Sequence, residues 1–352
     1  MSTIKEVADL AGVSIGTVSH VISGAVPVSD HLRRKVLAAI RTLDYHPNHI
    51  ARSLKTSKTR TLGIVVPDLT IPFFPKLIRG AETAARKAGY SVIAVNSDDN
   101  AARQKEVMSL LRSQRVEGVL LVIAAGQGSL AQVPKIVDAG IPIVCLDRVP
   151  DRMDVDSVCV EDCAAADMGV SHLLQHGHKR IAIITGPLAL KNEQQRLNGY
   201  KQALERAGIP VQESLIWEGD LHPENVMQLC RDRLSQTEEQ VTALFTTNGV
   251  TGIGALRAIY ACGWKTPDDI AFVTFDELTS EDLFRPAITA VVQPAYEIGS
   301  CATEILLERI KGVNVSQSKV SIRLPATLHV RESSAPPPLR ANHHVSTRTG
   351  LT

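Results

Sequence analysis

Apolar residues near the start of the chain recur at the spacing of amphipathic helices. Four of them fall at positions i, i+3, i+4 and i+7, which is one face of a helix: Ile4, Val7, Ala8 and Ala11. Thr3 and Glu6 have the spacing of a capping box, so a first helix is predicted over residues 4–11. Gly12 permits the positive φ that ends this helix, and a second helix is predicted over residues 15–23.

Two short helices joined by a glycine-containing turn have the shape of a helix-turn-helix motif. In such a motif the second helix presents its N-terminal residues to the edges of DNA bases. Ile15 is expected to meet a thymine methyl group, and Thr17 or His20 a base edge. The candidate DNA-binding residues here are Thr3, Ser14, Ile15, Gly16, Thr17, Ser19 and His20. On pattern alone, the alternative is an ordinary helical hairpin.

A third helix is predicted from Asp30 to Leu43, with Ser29 as its cap. Its apolar face is expected to close a three-helix core and consists of Val36, Leu37, Ile40 and Leu43. Pro47 then breaks the pattern, and residues 48–55 are too few for a stable isolated helix. This segment is expected to become ordered only on a partner.

From Thr61 onward, short apolar runs alternate with helical stretches. The strand-like runs are 62–66, 92–95, 119–123, 143–146, 181–184, 243–245, 271–275 and 290–292. The helical stretches between them include 74–88, 101–114, 164–176, 194–207, 251–261 and 295–310. This alternation predicts an α/β body with parallel sheets covered by helices on both faces, and loops at the carboxyl ends of the strands forming a site. The length allows two such sheets.

Charge is distributed unevenly along the chain, although the net charge is only +1. Through residue 60 there are nine basic residues, Lys5, Arg33, Arg34, Lys35, Arg41, Arg52, Lys55, Lys58 and Arg60, against four acidic ones. A basic N-terminal segment on a slightly acidic body is typical of a nucleic-acid-binding head. The six cysteines lie mostly in apolar segments without a CxxC pair, which predicts reduced core residues in a cytosolic protein. No signal peptide or membrane span is predicted.

The N-terminal residues resemble the signature of the lac repressor family (LacI/GalR) of bacterial transcription factors. The matching segments are 4–8, 11–14, 17–19 and 21–22. Further similar motifs in the body are Phe73-Phe74, 156–158, 172–173, 177–182, 184–187, 196–200 and Gln293-Pro294. The resemblance extends from Thr3 to about Glu332. It implies a helix-turn-helix head joined to two doubly wound lobes of the periplasmic-binding-protein type, with an effector cleft between them.

The resemblance also implies particular site residues. Residues 48–55 would be the hinge helix that folds on the operator and enters the minor groove, where Ala51, Leu54 and Lys55 would contact DNA, with Leu54 wedged between base pairs. The predicted effector-binding residues, taken from strand ends and from the family, are Phe73, Phe74, Asp147, Lys191, Arg196, Asn248, Asp276 and Gln293. Carboxylates, an amide and a guanidinium beside aromatic rings suit a sugar or a sugar derivative.

Three positions depart from the family pattern: Ile71, the Glu161-Asp162 pair, and Gly249. They suggest that a neutral pyranose is not the effector. Lys191 and Asn192 favour an anionic effector such as a sugar acid. Loss of the effector response in Lys191→Ala would support this hypothesis, and an unchanged response would reject it.

Other chemistry is disfavoured by spacing. His172, His176 and His178 lack an acidic or cysteine partner that would complete a metal site. Gly249, Gly252 and Gly254 do not have the spacing of a phosphate-binding loop. No nucleophile elbow occurs, so neither a cofactor nor an enzyme activity is predicted. The alternative function is a cytosolic sugar-binding receptor without a regulatory role.

The predicted domains are a DNA-binding domain over 1–46, a hinge helix and linker over 47–60, an effector-binding and dimerisation domain over 61–333, and a disordered tail over 334–352. The tail has no heptads, so a homodimer is predicted rather than a coiled-coil tetramer. A dimer requires near-palindromic double-stranded operator DNA. The predicted partners are therefore operator DNA, a small-molecule effector and a second copy of the chain, in the cytoplasm and without a membrane.

Overall fold

The computed structural model describes residues 2–23, 26–45, 58–126, 128–149, 155–236, 241–278, 285–312 and 319–334. The chain forms two compact units, Met1–Thr59 and Arg60–Thr352, which we call the head and the body. The predicted hinge residues Ala51, Leu54 and Lys55, and the tail from residue 335, lie outside the described residues. In the part that is described, no helix is both long enough and apolar enough to cross a lipid bilayer.

The head contains three helices, α1 (Ile4–Ala11), α2 (Ile15–Ser23) and α3 (Asp30–Thr42). The capping box at the start of α1 is present: the Thr3 N–H donates to Glu6 Oε2 at 2.8 Å, and the Glu6 N–H donates to Thr3 Oγ1 at 3.3 Å. Gly12 ends α1 with φ 63°. The buried core consists of Val7, Ala8, Ala11, Val18, Val36 and Ala39.

One prediction for α3 is wrong. Leu37 was assigned to the face that closes the core, but it is exposed, and Ala39 is buried instead. A residue one position after buried Val36 is turned about 100° around the helix, whereas residues three and four positions on return to the same face. The helix also ends at Thr42, one residue before Leu43.

The body begins with β1 (Thr61–Val66), α4 (Phe73–Lys87), β2 (Ser91–Asn96), α5 (Ala101–Ser113), β3 (Gly118–Leu121), α6 (Val133–Asp138), β4 (Ile143–Leu146) and β5 (Asp156–Val160). It continues with α7 (Asp162–Gln175), β6 (Ile181–Thr185), α8 (Lys191–Arg206), β7 (Ile216–Glu218), α9 (Pro223–Gln236), β8 (Ala243–Thr246) and α10 (Gly249–Ala261). The last elements are β9 (Ala271–Phe275), β10 (Thr289–Val292), α11 (Ala295–Ile310), β11 (Ser321–Leu324) and β12 (Thr327–His329).

These strands form two six-stranded sheets, in the orders β11-β5-β4-β3-β1-β2 and β12-β10-β9-β8-β6-β7. We call the first sheet with its helices lobe 1 and the second lobe 2. All pairs are parallel except β10 with β12, which are antiparallel. The central strands are buried along their whole length, as expected when helices cover both faces of a parallel sheet.

The chain crosses between the lobes three times. The crossings lie at Glu161, at Gln293-Pro294 and at Pro325-Ala326. The second crossing sends α11 back to lobe 1, where its apolar residues join the core beside α4: Ile298, Ala302, Leu306 and Leu307. Neither lobe is therefore a continuous piece of the chain.

Helices α4 and α11 pack closely because glycines lie at their crossing. A Cβ atom on Gly80 would lie 2.0 Å from the Tyr296 carbonyl oxygen, and one on Gly299 would lie 2.0 Å from the Leu77 carbonyl oxygen. Only a residue without a side chain fits at either position.

The end of the described body differs from the prediction at one residue. Ser334 was assigned to the disordered tail, but it is buried, and its Oγ is 2.7 Å from both His172 Nε2 and Thr289 Oγ1. A buried hydroxyl with two hydrogen-bond partners is part of a folded core. The body therefore extends at least to Ser334.

Candidate effector cavity and DNA-binding helix

A cavity of about 530 Å³ lies between the two lobes, at the carboxyl ends of their strands. Parallel α/β sheets place their ligand sites at this edge. The cavity lining includes seven of the eight residues predicted to bind the effector: Phe73, Phe74, Asp147, Arg196, Asn248, Asp276 and Gln293. A monosaccharide-sized molecule fits a cavity of this volume.

Two aspartates, one from each lobe, reach the cavity with the same unusual backbone conformation. Asp147 follows β4 and Asp276 follows β9, with positive φ values of 58° and 69°. The Asp147 N–H donates to the carbonyl oxygen of Val158 at 3.1 Å, and the Asp276 N–H donates to that of Val291 at 2.9 Å. A left-handed backbone is uncommon for a non-glycine residue and is often found at functional sites. Both carboxylates line the cavity.

Arg196 of α8 is buried at the base of the cavity. Its Nε donates to Asp162 Oδ1 at 2.7 Å, and its Nη1 donates to the Thr247 carbonyl oxygen at 2.7 Å. The guanidinium carbon lies 3.8 Å from the centre of the Phe275 ring, at cation–π distance. Within the described residues, Nη2 has no hydrogen-bond partner, since the Asp147 carboxylate is 3.8 Å away.

Glu193, one turn before Arg196 on α8, was missed by the sequence prediction. It accepts hydrogen bonds from the Gly186 N–H at 2.9 Å, from Asn248 Nδ2 at 2.9 Å and from the Thr247 hydroxyl. Asn248 also caps α10, since its Oδ1 accepts the Thr251 N–H at 2.9 Å. Glu193 and this cap together hold the Asn248 amide at the cavity wall.

Burial changes the acid–base chemistry of the carboxyl groups around Arg196. Desolvation raises the pKa of Asp162 to about 7 and that of Asp276 to about 6, and it also raises the pKa of Asp147. Arg196 opposes these increases, but nearby carboxylates add to them. Burial would lower the pKa of Arg196, but the carboxylates outweigh it and raise that pKa above its usual value. Arg196 is therefore always charged.

Phe73 and Phe74 form the apolar wall of the cavity. Both are buried at the start of α4, with ring centroids 5.2 Å apart and ring planes at 75°. Such an edge-to-face pair is a rigid surface for the carbon face of a ring-shaped ligand.

Lys191 is the predicted effector-binding residue that the structure does not place in this cavity. It lines a neighbouring cavity of about 240 Å³ together with Arg148, whereas Asn192 lines the main cavity. Arg148 borders both cavities, and its Nη1 is 2.5 Å from Asp99 Oδ1 and 3.1 Å from the Ile123 carbonyl oxygen. Lys191 is the first residue of α8, and sequence spacing alone could not show which face of this helix lines the main cavity.

The other motifs noted in the sequence have structural roles in the described residues. His172 packs on His176, with ring centroids 4.3 Å apart, and its Nε2 lies 2.7 Å from Ser334 Oγ. Gly254 allows close packing within lobe 2, because a Cβ there would lie 2.6 Å from the Val226 Cβ.

In the head, the candidate DNA-binding residues cluster at the start of α2. Ser14 Oγ accepts the Thr17 N–H at 3.1 Å, so these two residues form the cap of the helix. Ile15 is 48% exposed although it is apolar, and Ser19 and His20 are also exposed. Thr3 lies apart from them, in the capping box of α1.

Comparison with known proteins decides the family. Residues 3–48 match the family of bacterial regulatory proteins, lacI family, and residues 59–330 match the family of periplasmic binding proteins and sugar binding domain of LacI family. This chain belongs to the LacI family. The helix-turn-helix head and the two-lobed body are the two parts that define a LacI-family regulator, and its relatives are transcriptional repressors rather than enzymes.

The LacI-family relatives include the ribose operon repressor of Escherichia coli (strain K12), 33% identical over 322 residues that cover 92% of this chain and 97% of the repressor. The HTH-type transcriptional repressor PurR of Aliivibrio salmonicida (strain LFI1238) is 33% identical over 88% of this chain and 93% of its own length. A crystal structure of the Lac repressor dimer bound to operator and the anti-inducer ONPF is similar to this chain with a TM-score of 0.81 and 27% identity, over 95% of this chain and 99% of that one.

Proposed function

We propose that this LacI-family protein is a repressor that binds near-palindromic operator DNA as a homodimer and is controlled by a sugar-like effector in the cavity between its lobes. The observation that carries the proposal is that the cavity draws polar groups from both lobes, with Asp147 from lobe 1 and Arg196 from lobe 2. A ligand that contacts both lobes stabilises one arrangement of them, which is the differential binding that allosteric control requires.

We assign residues 1–46 to DNA binding, 47–60 to a hinge and linker, and the body from residue 61 to effector binding and dimerisation. The division of the chain at Thr59 and Arg60 falls within the proposed linker and supports this assignment. The exposed Ile15, Ser19 and His20 on α2 would read base edges in the major groove.

A homodimer is supported by the edge of the lobe 1 sheet. β2 is the edge strand, and its Ile93 is 38% exposed with Ala94 exposed beside it. Leu69 and Leu110 are further exposed apolar side chains of the same lobe. Apolar groups beside an unpaired sheet edge are typical of a surface covered by another chain.

The effector is proposed to be a monosaccharide-sized molecule that lies against Phe73 and Phe74 and binds Arg196, Asn248 and Asp276. The ribose operon repressor among the relatives supports a sugar of this size. Arg196 Nη2 supplies a donor without a partner in the described protein, and carboxylates supply acceptors, as hydroxyl groups require.

The test begins with selection of operators for the full chain from random duplex DNA, followed by fluorescence anisotropy with and without D-ribose, D-xylose and D-glucose. We expect a near-palindromic site, and at least about a tenfold change in its affinity with one sugar. A chain that binds a sugar but selects no DNA would instead be a receptor without regulatory function.

A separate prediction concerns the role of the proposed hinge in DNA binding. Leu54→Ala should weaken binding to the selected operator at least about tenfold more than binding to random DNA, because a side chain wedged between base pairs contributes only where the duplex is kinked. Lys55→Ala is the control, since loss of a phosphate contact weakens both to a similar extent. Equal losses on both DNAs in Leu54→Ala would reject the wedge.

A further inference from the structure

We infer that Lys76 and Glu277 form a clamp between the two lobes, which stabilises the arrangement of the lobes described above and couples that arrangement to DNA binding. Neither residue lines the effector cavity. The clamp itself does not depend on what the cavity binds. Its effect on DNA rests on the proposed function, so the clamp and its effect on DNA are tested separately.

The clamp is a direct ion pair across the boundary between the lobes. Lys76 lies on α4 of lobe 1 and Glu277 follows β9 of lobe 2, and Lys76 Nζ donates to Glu277 Oε2 at 2.6 Å. The space beside the pair is nearly filled, since the cavity there is only about 10 Å³ and is lined from both lobes, by Phe73 and Val292 among others. The lobes therefore touch at this point, and the pair breaks when they rotate apart.

Lobe 2 holds its half of the clamp in position. Glu277 is 17% exposed, and its other carboxylate oxygen, Oε1, lies 3.1 Å from Arg331 Nη2 and 3.4 Å from His329 Nδ1. Arg331 is itself fixed, because its Nη1 donates to the Ile288 carbonyl oxygen at 2.8 Å. The carboxylate therefore loses little conformational freedom when it binds Lys76, and more of the attraction remains as net free energy.

Each member of the clamp is close in sequence to a group that lines the effector cavity. Lys76 lies near the start of α4, on the turn that begins with Phe73, and Glu277 follows Asp276 directly. The ion pair thus also sets the distance between the aromatic wall of lobe 1 and the Asp276 carboxylate of lobe 2. A ligand that changes this distance acts on the clamp, and by linkage the clamp acts on the affinity for that ligand.

The clamp is modest in strength, as a reversible control element must be. Lys76 is 55% exposed, and an ion pair of this kind shifts an equilibrium by about two- to fivefold. Such a shift is large enough to change the populations of two arrangements that differ little in free energy. A much stronger pair would hold the lobes in one arrangement and remove their response to a ligand.

The first experiment measures amide hydrogen exchange of the full chain, without effector or DNA, in the wild type and in Lys76→Met. Methionine keeps most of the length of the side chain and removes its charge. We expect exchange at the boundary between the lobes to be about two- to fivefold faster in the variant, because separation of the lobes becomes more frequent. The decisive peptides belong to lobe 2, on the opposite side from the substitution, and contain Asp276, Glu277 and Arg331.

Two other lysine variants of α4 make this result specific. Lys87→Met also removes one positive charge, from an exposed position at the end of the helix, and should leave exchange at the boundary unchanged. Lys76→Arg keeps a cation at the clamp and should restore the slower exchange. If Lys76→Met speeds exchange only within α4, or nowhere, the pair does not hold the lobes together and the inference is wrong.

The second experiment measures the affinity of the full chain for the selected operator by fluorescence anisotropy, again without effector. Lys76→Met and Glu277→Gln should change this affinity at least about twofold in the same direction, and the double variant should match either single variant, because each removes the same pair. A simple effect of charge on DNA binding would instead have opposite signs in the two variants, since one loses a positive charge and the other a negative charge.

The two experiments fail in distinguishable ways. If exchange changes as expected but the two substitutions act on operator affinity with opposite signs or additively, the lobes are clamped but the coupling to DNA is wrong. If the chain selects no operator, the proposed function is rejected together with that coupling, and hydrogen exchange alone decides whether Lys76 and Glu277 clamp the lobes.

Discussion

Arg196 lies among four buried carboxyl groups, those of Asp147, Asp162, Glu193 and Asp276. One positive charge cannot balance four negative charges in a poorly solvated place, so the folded body holds protons that the unfolded chain releases. The pKa of Asp162 is about 7 in the folded body, against an ordinary value of 3.8. Ionisation of this group above that pKa costs folding free energy.

Asp162→Asn tests this effect. Between about pH 4 and 7 the folded state binds the proton more tightly than the unfolded state, so this group makes the wild type lose stability as the pH rises. The asparagine cannot ionise, so the wild type should lose on the order of 2 kcal/mol relative to Asp162→Asn between about pH 5 and 8. Urea unfolding of the effector-free wild type and of Asp162→Asn at both pH values measures this difference in unfolding free energy. A wild type that gains stability relative to the variant would contradict the prediction.

The residues of the cavity were predictable where each followed a strand. Asp147, Asn248 and Asp276 come directly after apolar runs, and parallel strands bring such positions to one edge. Glu193 gave no such signal, because it lies inside a helix and acts by orienting Asn248. The side of α8 that meets the cavity depends on how the lobes pack, so the sequence could not separate Lys191 from Asn192, of which only Asn192 lines the cavity.

At the scale of elements, buried strands and long helices were predicted well, because continuous apolar runs in parallel sheets are distinctive. Six elements were not among the predicted runs: α6, β5, β7, α9, β11 and β12. β11 and β12 are half-exposed at sheet edges, so their apolar content is low. A signal for α9 was present, with Pro223 at its start and buried Val226, Cys230 and Leu234 at four-residue spacing.

The packing of α4 on α11 gives a second prediction. Gly80→Ala places a methyl group where the Tyr296 carbonyl oxygen lies 2.0 Å away, and backbone cannot move aside without separating the helices. We expect a loss of about 2–4 kcal/mol in unfolding free energy, measured by urea denaturation.

Glu82→Ala is the matched control on the same helix. Glu82 is exposed and makes only a 3.6 Å surface ion pair with Arg86, so its loss should stay within about 0.5 kcal/mol. Similar unfolding midpoints for Gly80→Ala and Glu82→Ala would mean that the two helices do not pack as closely as described here.

At the scale of the whole molecule, the three crossings make each lobe depend on distant parts of the chain. Lobe 1 needs α11 for its core and β11 for its sheet edge. Arg309 of α11 binds Asp156 of β5 through two hydrogen bonds of 2.8 Å, which fastens this late helix to an early strand.

A fragment of residues 60–160 should therefore fail to fold. It contains five of the six strands of lobe 1 but leaves uncovered the core surface that Ile298, Ala302 and Leu306 bury. Urea titration followed by circular dichroism should show no cooperative transition, whereas residues 60–334 should unfold cooperatively. A cooperative transition in the short fragment would show that lobe 1 does not require α11.

The crossings also set when the protein becomes functional during its synthesis. The ribosome completes β5 at Val160, but β11 of the same sheet is not made until Leu324, 164 residues later (324 − 160). At roughly 5–20 residues per second, the first lobe waits on the order of ten seconds or more with part of its apolar surface exposed. The helix-turn-helix head emerges long before the cavity that controls it exists. A nascent chain thus acquires its DNA-binding part first and its response to the effector last.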